Sequence, residues 1–364
     1  MKFRCERDVL AEALGAAGRA ATNRSGTLPV LQGVRMEVAG DTLTVTGTDL
    51  ELTIQLTVQV GGERDGAAVV RARLVSDIVR SLPAGAVSVE LGDEELSISA
   101  GRSQFSVRPL SLDDYPAISD PAAEAVTLPA SDLADALRQV VRAASTDDAR
   151  AVLTGVLLAA DDDGLRMVAT DSYRLAVRDL PQTAVLSAGQ KVLIPGRALS
   201  ELQRLMGDAE QLSVRLGERE ATFESDGVRL STRLIEGEFP NYRNLVPTSY
   251  PNLLTVAKAD MLEAIRRVKI LAVDSTPVRL TLGGDTVQLT AIDQDLGNAA
   301  EEVDASYEGE PMTIAFNPDY LSAGIDAVDS DDVTLSTMDP MKPAVLRGVG
   351  RDDYLYLLMP VRVP

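Results

Sequence analysis

Ala169-Thr170-Asp171 ends a strand-like run, and Gly47-Thr48-Asp49 and Ala291-Ile292-Asp293 end two others, so that the three aspartates stand 122 residues apart in both intervals. Two more signatures keep that beat. A short strand leading into an amphipathic helix recurs at Ala11-Glu12-Ala13-Leu14, Ala134-Asp135-Ala136-Leu137 and Leu262-Glu263-Ala264-Ile265, with spacings of 123 and 128 residues. A second helix recurs at Leu74-Val75-Ser76-Asp77-Ile78, Ala198-Leu199-Ser200-Glu201-Leu202 and Tyr320-Leu321-Ser322-Ala323-Gly324, its serines 124 and 122 residues apart. Leu, Ala and Glu are common, so each signature alone says little, but three in one order at one period define a repeat. Solenoid units run about 20 to 50 residues, so a unit of this length is a domain. The expected boundaries are 1–121, 122–249 and 250–364, with linkers at Ser119-Asp120-Pro121 and Pro247-Thr248-Ser249-Tyr250-Pro251.

Each copy reads as strand, helix, alternating strands, second helix and further strands. Thr42-Leu43-Thr44-Val45-Thr46, Val87-Ser88-Val89-Glu90-Leu91 and Leu212-Ser213-Val214-Arg215-Leu216 alternate polar and apolar residues, as half-buried antiparallel strands do. The fold class is therefore α+β: three repeated domains, each an antiparallel sheet backed by two helices.

The 364 residues include no His, no Trp and one Cys, Cys5. That excludes Ser-His-Asp triads, His-ligated zinc and paired-Cys metal sites, and neither metal nor cofactor is expected. Cys5 falls in the first strand and reads as a small buried apolar residue. Asp161-Asp162-Asp163-Gly164 lacks the alternation of a calcium loop and reads as a hairpin turn. Asp49, Asp171 and Asp293 read as turn caps, because the same placement in three copies is architecture. The N-terminal Met1-Lys2-Phe3-Arg4-Cys5-Glu6-Arg7-Asp8 is charged where a signal peptide is apolar, which points to the cytoplasm.

Against 35 Lys and Arg the chain sets 55 Asp and Glu, a net charge of −20. Such a surface repels nucleic acid unless the charge is segregated. The helices supply that segregation. Leu133, Ala136, Leu137 and Val140 form one stripe, with Arg138 and Arg142 expected to look outward; Met261, Ile265 and Val268 form another, opposite Arg266 and Lys269 with Arg267 nearby. Arg19, Arg24, Arg73, Arg80, Arg197 and Arg204 add to the same helices, whereas acids cluster in loops. If two chains close head to tail, twelve helices line a hole roughly 28 Å across, enough for duplex DNA with a water layer. Nearby cations then dominate over distant acids, since screening cuts off at about 10 Å.

The triplicated domain, together with Ala169-Thr170-Asp171-Ser172-Tyr173-Arg174-Leu175-Ala176, Glu236-Gly237-Glu238-Phe239-Pro240-Asn241-Tyr242 and Leu358-Met359-Pro360-Val361-Arg362, resembles the bacterial DNA polymerase III beta subunit family, the replicative sliding clamps. Met1-Lys2-Phe3 and Thr27-Leu28-Pro29-Val30-Leu31 are similar to that family as well. The resemblance covers essentially the whole chain. It implies a homodimeric ring that encircles duplex DNA irrespective of sequence, breaks no bond, and tethers the DNA polymerase III alpha subunit, the clamp loader and other proteins carrying short Gln-, Leu- and Phe-containing motifs. The partner-peptide groove it implies comprises Leu153, Thr170, Ser172, Tyr173, Arg174, Leu175, Pro240, Asn244, Leu245, Tyr320, Val345, Leu357, Met359, Pro360 and Arg362. The implied dimer contact sets Phe105 and Val107 against Ile270 and Leu271. The chain departs from the family at Ser172-Tyr173, where many members carry Gly-His, at Asn244, where some carry Arg, and at Pro364, which extends the usual ending. Two rival readings are a pseudo-threefold carboxylate enzyme, which requires closely paired acids in a deep pocket, and a ring-forming paralogue with a non-replicative or drug-tolerance role.

Overall fold

The computed structural model describes residues 1–21, 28–161, 164–247, 249–272 and 276–362. Arg24, Asp162, Asp163 and Pro364, singled out above, lie outside the described residues.

The same order of elements runs three times. A short strand leads into a helix: α1 (Arg7–Gly18), α3 (Ala130–Val140) or α5 (Lys258–Val268). Further strands follow, then α2 (Ala72–Ser81), α4 (Gly196–Met206) or α6 (Pro318–Ala327), then a final set of three strands. Each helix keeps an apolar stripe, such as Leu10, Ala13, Leu14 and Ala17 in α1, which is buried. α6 begins as its sequence dictates: Asn317 Oδ1 accepts from the amides of Asp319 and Tyr320, and Pro318 opens the first turn.

The chain forms two compact units, Met1–Ser131 with Ser200–Leu234 and Asp132–Leu199 with Ile235–Pro364, so the middle copy is divided between them. The first unit holds a five-stranded sheet ending in the edge strand Ser103–Val107, and an eight-stranded sheet in which Val228–Arg233 of the middle copy pairs with Leu52–Gln59 of the first. The second holds a twelve-stranded sheet, in which Tyr354–Leu358 of the last copy pairs with Arg174–Pro181 of the middle one. One pairing rule thus operates twice: the final strand of a copy binds the strand that follows the aspartate turn of the copy before it. Cys5 is buried in the strand Lys2–Glu6, as expected from sequence, and Asp161 pairs with Gly164 where two antiparallel strands adjoin.

The aspartate turns are alike in atomic detail. Asp49 Oδ1 accepts from the amides of Glu51 and Leu52 at 3.1 and 2.8 Å, Asp171 Oδ1 from Tyr173 and Arg174 at 2.9 and 3.0 Å, and Asp293 Oδ1 from Asp295 and Leu296 at 2.9 Å each. Leu50 and Ser172, each the residue after the aspartate, have φ of 76° and 81°, a region that side chains other than glycine's enter at a cost. The third turn is one residue longer: Thr48 faces Thr53 and Thr170 faces Leu175, whereas Ile292 faces Asn298.

Because each carboxylate replaces water as partner to two amides, Asp49→Ala and Asp293→Ala should each cost about 1–2 kcal/mol. Asp171→Ala should cost more, since it also strips Arg174 of its counter-ion. The order of urea midpoints, wild type above the first two and those above the third, checks this.

Candidate partner-binding groove and helix faces

Strand register builds the apolar floor. Leu175 lies directly opposite Leu357, and Leu357 opposite Val345, so three side chains from three adjacent strands share one face of the sheet. Val177 and Leu355 make the next row. Leu175, Leu357, Val345 and Leu355 form one apolar cluster with Leu157, Ala159, Val168, Leu193 and Tyr242, against which Val152, Val177, Phe239, Val246 and Tyr250 pack.

The residues that sequence assigned to the groove divide into two sets. Leu153, Thr170, Leu175, Val345 and Leu357 are buried beneath the surface. Ser172, Tyr173, Pro240, Asn244, Leu245, Met359 and Arg362 are exposed, and Arg174, Tyr320 and Pro360 are half-buried. Pro240, Asn244 and Leu245 lie on the segment that Phe239 and Tyr242 fasten to the cluster, which makes that segment a wall above the floor. Sequence reasoning missed Tyr242, Phe239 and Tyr356. Tyr242 was visible in the quoted Phe239-Pro240-Asn241-Tyr242 motif, whereas Tyr356 carried no signal until the register placed it.

A polar and aromatic rim closes one end. Arg174 Nε donates to Asp171 Oδ2 at 2.9 Å, and its guanidinium lies 4.3 Å from the centre of the Tyr320 ring. Burial disfavours the guanidinium charge, but the Tyr356 hydroxyl and the Asp171 carboxylate outweigh that and raise the Arg174 pKa. The Tyr356 hydroxyl donates to the Tyr320 carbonyl at 3.0 Å, and burial above all pushes its pKa up to about 12. Gly324 is what allows α6 to lie on Tyr356: a Cβ there would stand 2.5 Å from two ring carbons. The Met359 amide donates to the Tyr173 carbonyl at 2.9 Å, and the Val361 amide to the Ala315 carbonyl at 2.8 Å, so the tail runs as an extended segment along the rim.

The helix cations correct one expectation. Arg138 and Arg142 do not look outward. Arg142 Nη1 donates to the Ala323 carbonyl at 3.0 Å and to Asp326 Oδ2 at 2.9 Å, and Arg138 donates weakly to the Ala327 carbonyl at 3.5 Å. The cause is the end of α6, which has no basic residue in its last turn and leaves its carbonyls open. Gln139 also donates to the Ala327 carbonyl, and Lys258 Nζ to those of Asp326 and Val328. Arg19 and Arg204 are both tied to Glu201, Arg267 is tied to Glu263 and Glu301, and Lys269 is tied to Asp319. Arg73 stands 4.0 Å from Asp77, and Arg80, Arg197 and Arg266 are exposed.

Of the four dimer residues, Phe105 is exposed on the edge strand Ser103–Val107, Ile270 is 74% exposed and Leu271 is half-buried. Val107, on the same strand, is buried within the single chain.

This is a chain of three α+β modules joined by shared sheets, with an apolar floor and an aromatic rim on one of them. Its N-terminal, middle and C-terminal parts match the N-terminal, central and C-terminal domains of the DNA polymerase III beta subunit over residues 1–119, 127–241 and 243–362. The beta sliding clamp of Streptomyces coelicolor is 35% identical over 377 residues, covering all of both chains. The sliding clamp of Bartonella birtlesii, solved bound to griselimycin, superposes with a TM-score of 0.91 at 30% identity, and that of Bacillus subtilis with 0.91 at 27%, each over the full length of both chains. The chain belongs to the DNA polymerase III beta subunit family.

Two outcomes follow from the rim and its surroundings. Arg174→Gln leaves the buried Asp171 carboxylate without a charged partner and should lower stability by about 3–5 kcal/mol in chemical denaturation. The second concerns pH. Burial works against the charge of Asp353, yet Arg351 and Arg178 outweigh it and hold its pKa below the ordinary range. A carboxylate depressed in the fold stabilises above its unfolded value, near ~4, and that stability is lost as pH falls through the folded value. Denaturation midpoints should therefore drop below about pH 4, less steeply in Asp353→Asn, and from about pH 5 to 7 carry no histidine contribution, since the chain has none.

Proposed function

We propose that the chain is a processivity factor: two copies close head to tail into a ring around duplex DNA and hold DNA polymerase and other replication or repair proteins through the groove. It acts in the cytoplasm as a tether and catalyses no reaction. Its modules span 1–121, 122–249 and 250–364. Its partners are double-stranded DNA of any sequence, the DNA polymerase III alpha subunit, the clamp loader, other proteins with short clamp-binding motifs, and itself. Among the described residues, the carboxylates with displaced pKa values, Asp147, Glu301, Asp339 and Asp353, are all pulled down, the opposite of what an acid catalyst at neutral pH requires.

One observation carries the ring. The pairing rule leaves one strand over at each end of the series: Ser103–Val107 is an edge, and Gly297–Asp304, the first part of the strand Gly297–Glu308, pairs on one side only. A second copy supplies the missing partner for each, and two copies satisfy both edges at once. The register of the other two pairings carries over. Thr53 faces Ser231 and Leu175 faces Leu357, so Ser106 should face Asn298 of the other copy, and Arg102 should then face Glu302. Both of these charged residues are exposed in the single chain. Phe105 and Ile270 supply apolar cover beside the paired strands. Met359, Leu245 and Pro240 supply the apolar surface for partner peptides, while the buried row beneath them sets its shape.

Loaded onto a closed DNA circle by a clamp loader, the protein should stay through gel filtration at moderate salt and be lost when the circle is linearised. Equal retention on both forms would refute enclosure. In sedimentation, Arg102→Glu and Glu302→Arg should each shift the dimer toward monomer, and the two variants mixed should restore it.

A further inference from the structure

Peroxides attack thiolates and thioethers ahead of other side chains. The one thiol of this chain, Cys5, is buried, and burial above all raises its pKa, so it offers little thiolate. Sulfur chemistry at the surface therefore falls to methionine. Of the nine methionines, Met1, Met36, Met167, Met206 and Met261 are buried. Met312 and Met338 are half-buried, and each has a donor at its sulfur: the Thr337 hydroxyl at 3.7 Å from the first and Lys342 Nζ at 3.2 Å from the second. A donor there engages the lone pair that an oxidant must reach. Two thioethers are left open, Met341 at 54% exposure and Met359 at 39%.

These two stand in different places. Met341 lies on the turn between the strands Asp332–Thr337 and Ala344–Gly348, its amide donating to Asp339 Oδ1 at 2.8 Å. Met359 directly follows the strand Tyr354–Leu358, and its main chain is pinned: its own amide donates to the Tyr173 carbonyl at 2.9 Å, and the Val361 amide to the Ala315 carbonyl at 2.8 Å. Its side chain is thereby kept at the rim of the apolar floor. A thioether suits that place, being apolar, polarisable and able to repack against more than one partner. A sulfoxide does not, because its oxygen is a strong acceptor that loses water when a peptide covers it and finds no donor on an apolar partner.

We propose that Met359 is an oxidation site that switches the groove off: hydrogen peroxide converts its thioether to the sulfoxide, and the oxidised protein releases its partner peptides. The sulfur lone pair attacks one peroxide oxygen, the O–O bond breaks as the S–O bond forms, and the departing hydroxide leaves as water once the proton has moved to it. Sulfur is oxidised by two electrons and peroxide is reduced. A dithiol reductant reverses the change, giving thioether, disulfide and water. This proposal rests on the groove reading given above. Covering an unpaired acceptor of this kind costs roughly a five- to fiftyfold loss of affinity.

The test uses the full-length protein, graded hydrogen peroxide and a nonapeptide with leucine and phenylalanine anchors. Peptide mapping by mass spectrometry should find the added oxygen first on Met341 and Met359, with the five buried methionines unchanged. Isothermal titration at that stage should show affinity lowered five- to fiftyfold, and methionine sulfoxide reductases with dithiothreitol should restore it. Met341→Leu should lose affinity on oxidation as wild type does, whereas Met359→Leu should lose none from its own starting value. Met359→Gln, which places a polar group there permanently, should bind weakly from the start and be indifferent to peroxide. If Met359 is oxidised no sooner than the buried methionines, if its oxidation leaves affinity unchanged, or if the loss persists in Met359→Leu, the proposal is wrong although the groove stands. If the untreated protein does not bind the peptide, or binds it indifferently to Leu245→Ala and Pro240→Ala, the groove reading falls and this proposal with it.

Discussion

Main-chain hydrogen bonding between the final strand of one module and the post-turn strand of the module before it is the constraint on which the molecule depends. It joins Tyr354–Leu358 to Arg174–Pro181 and Val228–Arg233 to Leu52–Gln59. The bonds themselves are insensitive to sequence, but their register is not: a slip of one residue would bring Arg174 and Ala176 to the face now held by Leu175 and Val177. The burial of Leu175, Leu357 and Val345 under Tyr242 selects the observed register. The apolar row in turn fastens the Phe239–Val246 segment. Rim, floor and wall are therefore consequences of one strand pairing.

The same frame exists in the other unit and yields a different surface. There, Thr53 faces Ser231 and Ser231 faces Thr222. Three hydroxyls stand where Leu175, Leu357 and Val345 stand in the second unit, and each has a partner: Thr222 and Ser231 bond each other at 2.9 Å, and Thr53 bonds Thr48 at 2.9 Å. Satisfied hydroxyls gain little from further covering: Thr53 and Ser231 stay half-buried, and Thr222 is buried with its partner. Backbone repetition thus makes places of equal geometry, and side chains decide that an apolar floor forms at one of them.

The period of 122 residues, the α+β order and the capping role of the three aspartates were legible because local rules generate them: alternation in strands, stripes in helices, and a carboxylate bonding amides two and three residues ahead. The groove was legible only through resemblance. Nothing local joins Leu175 to Leu357, and a residue such as Tyr242 or Tyr356 acquires its part from register alone. Spacing also could not tell buried Leu153 and Thr170 from exposed Tyr173 and Met359, because burial depends on what lies above the sheet.

The arginines of α3 show where charge counting ends. Their positions opposite an apolar stripe were read correctly, but the stripe says only what a helix turns away from, not what it meets. α6 ends with Asp326 in a last turn whose carbonyl dipoles are already negative, and Arg142 and Lys258 answer that excess with Gln139 beside them. Cations committed in this way hold helices together and are weakened as contacts for a polyanion. Arg19 and Arg204 on Glu201, and Arg267 on Glu301, are reduced likewise. In a chain of net charge −20, such commitments weaken the grip on the duplex that the proposed function threads through the ring, since each phosphate contact exchanges for counter-ions at small cost. Weak, exchangeable contacts are what a ring that must travel along DNA requires, and they leave retention to the strength of its closed edges.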